Sequence, residues 1–262
     1  MQFYQVDAFA EKVFEGNPAA VVPLESWLAD DLMQSIAEEN NLSETAFFVK
    51  EGANFHIRWF TPKGEVDLCG HATLASAFVI HHYINPSLST ISFDSRSGIL
   101  TVEVETDGFY KMNFPQDVFE QRRPPIGLVE SLGLSTDVEI KKGKDDFLII
   151  VDTEDQVRSL KPDFSMLSKV DARGVIVTAL GVDHDFVSRC FYPAYGIPED
   201  PVTGSAHTTS GPYWAERLGK SSLSARQISS RGGNVLCEID GDRINLSGKA
   251  VLYAEGILCI EN

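Results

Sequence analysis

Two short segments of this 262-residue chain combine a helix-compatible start with residues able to bind anions and move protons: Cys69-Gly70-His71-Ala72 and Thr203-Gly204-Ser205-Ala206. Free backbone N–H groups at a helix start make an anion site, and glycine lets a ligand come close. Acids precede both starts: Glu65 and Asp67 before the first, Glu199 and Asp200 before the second. His71 and Ser205 take matching places just inside each helix. A histidine at a helix N-terminus has its pKa pushed down, so His71 is expected to be neutral and able to accept or donate a proton. A capping or packing histidine is the plainer alternative. Glu44 lies in Asn41-Leu42-Ser43-Glu44-Thr45-Ala46-Phe47-Phe48, between a helix end and an apolar strand. A carboxylate beside so much apolar surface is partly desolvated, which suits general-acid work. A solvated turn glutamate is the plainer alternative here.

The elements around these residues recur. Arg58-Trp59-Phe60-Thr61-Pro62 returns as Arg189-Cys190-Phe191-Tyr192-Pro193. Ser95-Arg96-Ser97-Gly98 returns as Ser230-Arg231-Gly232-Gly233, and Asp107-Gly108 as Asp240-Gly241. With the two helix starts, these matches keep one order at nearly one offset, close to half the chain, which points to an ancient duplication. In each half an extended segment (54–60; 185–192) precedes the glycine, and a helix-compatible stretch (70–83; 204–218) follows. Strands joined at Asp-Gly hairpin turns come next (100–105 with 110–114; 235–239 with 243–246). A further helix is expected over about 29–39, where Leu28, Leu32 and Ile36 repeat every four residues. Pro212, inside the second helix pattern, is expected to kink that helix or split it into two segments.

The expected fold is therefore α+β: two pseudo-symmetric lobes, each a curved, mostly antiparallel sheet around a central helix. The N-terminal lobe spans 1–115, with the strand near 250–262 a candidate addition to it, and the C-terminal lobe spans 116–262. In such a pair the two helix starts are expected to face each other across the lobe junction, a cleft suited to a small carboxylate. The halves differ where Glu44 falls. At that offset the second half reads Arg173-Gly174-Val175, with no carboxylate, as one acid/base doing the proton work would require.

Composition limits the partners. The net charge of −16, from 22 basic and 38 acidic residues, repels phosphate backbones and argues against nucleic acid. It leaves room for a locally positive site that binds a small anion. The longest apolar stretch, around 74–80, is far too short to span a bilayer, so no membrane association is expected. The opening MQFYQVDAFAEKV lacks a basic region followed by an apolar core. Cys69, Cys190, Cys237 and Cys259 stand far apart without a CxxC pair, which fits reduced thiols of a cytoplasmic protein better than disulfides or a zinc site. No strand-linked GxGxxG is present. Neither metal nor cofactor is expected.

These residues carry a family resemblance. Asp7-Ala8-Phe9 with Gly16-Asn17-Pro18-Ala19-Ala20-Val21-Val22 resembles the opening of the PhzF-like phenazine-biosynthesis isomerases. So do the Glu44 segment, Arg58–Pro62, Asp67-Leu68-Cys69-Gly70-His71-Ala72-Thr73 and, most specifically, Glu199-Asp200-Pro201-Val202-Thr203-Gly204-Ser205-Ala206-His207. The resemblance runs over nearly the whole chain. It implies a diaminopimelate-epimerase-like fold, commonly a homodimer, with a metal-free and cofactor-free site between two lobes. The family's characterised member isomerises a dihydro-hydroxyanthranilate by moving a proton along a conjugated system. Its catalytic glutamate falls on Glu44, and its supporting positions on Asp200, His71 and Ser205. The helix-start glycines fall on Gly70 and Gly204, and with Ala72, Thr203 and Asn17 they make up the expected substrate-binding set. Two segments depart from the family pattern: Thr208-Thr209-Ser210-Gly211 is more polar than expected, and Ser229-Ser230-Arg231-Gly232-Gly233 lacks the usual upstream Gln-Gly. Both are candidate pocket linings and bear on the substrate more than on the chemistry.

The expected function is a cofactor-independent isomerase of a small, cyclic carboxylate. A two-base epimerase on the same fold is the first rival. The related epimerases use two cysteines at the two helix starts, and here Cys69 is matched by Thr203, whose hydroxyl is too weak an acid to share that work unaided. A non-catalytic carboxylate-binding protein is the second rival. Such a binder gains nothing from carboxylates beside an anion.

Overall fold

The computed structural model describes every residue except Thr136, Glu261 and Asn262. The chain divides into two compact units, Met1–Asn113 with Ser247–Asn262, and Phe114–Leu246.

In the first unit the strand Gln2–Ala8 pairs antiparallel with both Asn17–Leu24 and Ala250–Ile257. Asn17–Leu24 then runs parallel to Glu44–Glu51, with Ala19 opposite Glu44. A parallel pair needs a crossover, and the helix Asp30–Asn40 provides it. Asp30 and Asp31 suit the positive end of that helix, and Asn41 stops it in the left-handed region at φ 48°. Its buried stripe is Met33, Ile36 and Ala37, packed with Val22, Phe47 and Phe60, while Leu28 and Leu32 lie half-buried at the margin. Glu44–Glu51 turns back antiparallel into Asn54–Thr61, and the short strand Gly64–Val66 leads to the helix Gly70–Val79. Every residue from His71 to Val79 is buried. The small residues Ala72, Ala75 and Ala77 let this helix sit deep in the unit, where each fully buried large side chain such as Leu74 contributes about 1.5–3 kcal/mol.

The α-helical hydrogen bonding expected over 70–83 stops earlier. At Ile80–Ile84 the backbone widens into a π-turn, closed by the Asn85 N–H on the Ile80 carbonyl. The His82 ring, 3.1 Å from the Phe78 carbonyl, competes for an acceptor the α-helix would have used. Thr90–Ser95, Gly98–Val104 and Tyr110–Pro115 complete the unit as an antiparallel meander, with Thr90–Ser95 also parallel to Asn54–Thr61.

The second unit repeats this order. Asp146–Ile150 runs parallel to Gly174–Leu180, which pairs antiparallel with Phe186–Tyr192. Ile197–Asp200 leads to the helix Gly204–Leu218. Ser222–Gln227 returns parallel to Phe186–Tyr192 and antiparallel to Gly233–Asp240. The register repeats as well: Phe47 faces Arg58 as Val177 faces Arg189. Side-chain bonds follow suit. Ser76 and Ser210 each donate to the carbonyl four residues back, Ala72 and Ala206.

Pro212 does not split its helix, which runs unbroken over Gly204–Leu218. A proline removes the N–H that would bond the carbonyl four residues earlier. Here that carbonyl, on Thr208, accepts instead from the Asp117 backbone N–H at 3.0 Å. The polar run Thr208–Ser210 is absorbed in the same way: Thr208 bonds the Ser205 carbonyl, Thr209 bonds the Asp117 carboxylate, and Ser210 bonds Ala206. Those hydroxyls are satisfied inside the unit. Among the described residues no helix is long and apolar enough to cross a membrane.

Candidate functional site

In the first unit Glu44 is the opening residue of Glu44–Glu51. The left-handed Asn41 ends the preceding helix, and Asn40 Nδ2 bonds Thr45 Oγ1 at 3.1 Å, tying the short turn that delivers the carboxylate. Asn17, fully buried, opens the strand beside it. Gly16 makes that placement possible. Its φ is +68°, and a Cβ there would lie 2.1 Å from the Ala8 carbonyl oxygen.

The Gly70–Val79 helix starts close to both residues. His71 Nε2 is 3.1 Å from Glu44 Oε2. The two atoms are at ion-pair distance without hydrogen-bond alignment, and both are buried with no hydrogen-bond partner. His71 Nδ1 is 3.4 Å from Asn17 Nδ2 and 3.5 Å from Cys69 Sγ. Cys69 caps the helix with its backbone, and its sulfur also receives the Ala72 N–H. Burial foremost, with the Glu44 charge, pushes the Cys69 thiol above its ordinary value, so the sulfur keeps its proton. For His71 the sequence expectation is reversed. Burial by itself would push the imidazole down, but the Glu44 carboxylate in contact, with a hydrogen bond to Cys69, raises it well above the ordinary histidine value. A carboxylate in contact outweighs a helix start.

Glu44, Cys69 and His71 each present a ligand-type atom within 4.8 Å of the others, so they are the residues of this site able to hold a metal. No linear spacing announces this set, because Glu44 comes from a separate strand.

In the second unit Asp200 is buried, and the Thr203 hydroxyl donates to its Oδ2 at 2.5 Å. Sequence reasoning passed over Gln227. It accepts the Thr203 N–H at 2.8 Å and donates to the Asp200 carbonyl at 2.7 Å, clamping both ends of the loop before the helix. A glutamine at an inward position of the alternating strand Ser222–Gln227, after Leu223 and Ala225, was the available signal. His207, also passed over, has Nδ1 2.8 Å from the Thr203 carbonyl. A carbonyl only accepts, so Nδ1 carries the proton, and burial pushes the ring down to about 4. Cys190 lies behind this cluster, its thiol raised well above the ordinary value by burial and by Asp200.

The remaining expected residues divide. Neither helix start has a side-chain cap. A Cβ on Gly204 would meet nothing within 4 Å, so this glycine faces open space. Ser205 is exposed in the first turn, and Ala72 is fully buried. Glu65 and Glu199 form matched structural pairs: Arg58 bonds Glu65 at 2.7 and 2.8 Å, and Arg189 bonds Glu199 at 2.7 and 2.8 Å. Asp67 is exposed.

The fold is one of two repeated α+β units, each with a glycine-started helix beside polar and ionisable groups. A probable proline racemase from Agrobacterium radiobacter shares it, with a TM-score of 0.63, 9% identity and 99% and 93% of the two chains covered. The sequence profile of the phenazine biosynthesis-like proteins, PhzC-PhzF, matches residues 6–256, and the chain belongs to that family. It is 51% identical to an uncharacterized isomerase of Pseudomonas aeruginosa, over 98% of each protein. The crystal structure of a PhzF-family phenazine biosynthesis protein from Enterococcus faecalis matches with a TM-score of 0.93 and 48% identity, over 97% of each chain. The isomerase class expected from the residues agrees with these relatives.

Proposed function

We propose that this chain is a cofactor-independent isomerase that moves a proton within a small, cyclic carboxylate, with Glu44 as the acid/base. One observation carries the reading. Glu44 Oε2 and His71 Nε2 lie 3.1 Å apart, both buried and neither in a hydrogen bond. Buried polar atoms left this way are costly unless a ligand completes them.

In this reading Glu44 removes a proton from a substrate carbon. The C–H bond breaks, its electron pair enters the conjugated system, and an O–H bond forms on Glu44. The same carboxylic acid then delivers the proton to another carbon on the same face. His71, 3.1 Å from the Glu44 carboxylate, positions it. Asp200 and Ser205 support the reaction. Gly70, Ala72, Thr203, Gly204 and Asn17 form the substrate-binding set, and the uncapped start at Gly204 suits a substrate carboxylate. The two-base alternative is weakened by Thr203, whose hydroxyl proton is already committed to Asp200.

The test begins with a thermal-shift screen of cyclic and aromatic-like carboxylates. On a substrate so found, Glu44→Gln is expected to retain binding and lose turnover by about 10²–10⁴-fold. Near-wild-type turnover would reject Glu44 as the proton carrier.

A further inference from the structure

We propose that Glu44, Cys69 and His71 also form a reversible, inhibitory binding site for a borderline-soft divalent cation, Zn2+ above all. Binding stands on the geometry of the cluster. Inhibition rests in addition on Glu44 being the acid/base.

The three side chains offer a carboxylate oxygen, a sulfur and an imidazole nitrogen, with ligand atoms all within 4.8 Å. These are the donor types zinc takes, and bonds of about 2.0–2.3 Å to one ion place tetrahedral ligand atoms roughly 3.3–3.7 Å apart. The neighbouring distances are 3.1 Å from His71 Nε2 to Glu44 Oε2 and 3.5 Å from His71 Nδ1 to Cys69 Sγ. Those two contacts use opposite ring nitrogens, so holding one ion requires the Glu44 or Cys69 side chain to turn toward a shared nitrogen, a movement within the 4.8 Å that already brackets the three ligand atoms. His71 is more than nine-tenths buried, and its Nε2 has no hydrogen-bond partner. An ion would give that nitrogen or the equally unbonded Glu44 Oε2 a partner. It is the only such group of three among the described residues. Three protein ligands leave a fourth position for water, the arrangement of an open zinc site.

Binding exchanges protons for metal and involves no redox step. The S–H bond of Cys69 breaks, an S–Zn bond forms, and the proton leaves to buffer. His71 binds as neutral imidazole, releasing its own proton to buffer when it was charged. A Glu44 oxygen held by the ion cannot take a substrate proton.

The experiment is calorimetric titration of the full chain with Zn2+, with Co2+ as an absorption probe. The expected result is one equivalent of Zn2+ bound, and a Co2+ spectrum with a thiolate-to-cobalt charge-transfer band. Cys69→Ser and Glu44→Gln should each weaken Zn2+ by more than the roughly 10–100-fold lost with an outer-shell partner. Thermal melting of both metal-free variants checks that they fold. Cys259→Ser, which removes an exposed thiol, should leave binding unchanged. No stoichiometric binding, a cobalt spectrum without the thiolate band, or loss of binding with Cys259→Ser would overturn the proposal. Zn2+ that binds at this cluster without inhibiting turnover would overturn the inhibitory role and the assignment of Glu44, while the binding site stands. Absence of binding alongside an inactive Glu44→Gln would remove the metal site and leave the isomerase reading intact.

Discussion

In the first unit the strand after the crossover begins with Glu44, opposite Ala19; in the second the matching strand begins with Gly174, opposite Asp146. A Cβ on Gly174 would lie 2.1 Å from the Tyr192 ring and 2.8 Å from Asp146 Oδ1. Tyr192 fills the space that the first unit leaves for a carboxylate, and Asp146 is spent on Arg173, which bonds it at 2.8 and 2.5 Å. The helix starts diverge likewise. Cys69 meets a histidine that also contacts Glu44, whereas Thr203 is locked to Asp200 and Gln227. The frame repeats, down to the Arg58–Glu65 and Arg189–Glu199 pairs, while a carboxylate stands at this strand start only in the first unit. The position of the proposed acid/base is thus open in one unit and closed by packing in the other.

The largest effect expected from this asymmetry is on turnover. Glu44→Gln should cost about 10²–10⁴-fold, measured under saturating substrate. Equal activity would place the chemistry elsewhere. Next comes acid stability. Burial holds His207 at about 4 against 6.5 for a free histidine. Between those values the unfolded chain binds a proton that the folded chain does not, so stability falls as pH drops from about 6.5 toward 4. The loss from this one group is roughly 3 kcal/mol. Urea melts of wild type and His207→Gln across that range should converge as pH falls, and a constant gap would refute the assignment. His71 has the opposite sign. Its raised value stabilises the fold fully below about 6.5, and that contribution is lost as pH rises through the folded value.

A third effect is on packing. Gly174→Ala should destabilise by about 1–3 kcal/mol as the new methyl meets Tyr192, read as a lowered melting temperature. A neutral result would mean the closed position is not held shut by packing. The smallest expected effects are equal ones. Ser76→Ala and Ser210→Ala remove matched bonds to carbonyls four residues back, and each should stay within about 0.5–1.5 kcal/mol in thermal melts. A marked difference between them would break the symmetry of the frame.

Much of this was legible in the sequence because duplication repeats local signals. The Asp-Gly turns, the Arg-x-Phe strands and the glycine-started helices mark the same elements twice. Pro212 misled because its cost depends on a neighbour: the Asp117 N–H that takes the freed Thr208 carbonyl comes from a loop far upstream. His71 misled for a similar reason. A helix start is read from adjacent residues, whereas the charge that outweighs it arrives from another strand. The Glu44–Cys69–His71 cluster and the Gln227 clamp also join residues distant in sequence, and only tertiary structure brings their atoms within bonding reach.

The central claim, that one carboxylate moves the proton, is tested most directly by label transfer. Substrate deuterated at its labile carbon is turned over in ordinary water, and the product is followed by mass spectrometry and NMR. A site where Glu44 alone ferries the proton should return part of the deuterium to the receiving carbon on the same face, since a closed site slows exchange with water. Solvent hydrogen at the original carbon with inverted configuration would contradict it and establish a second base.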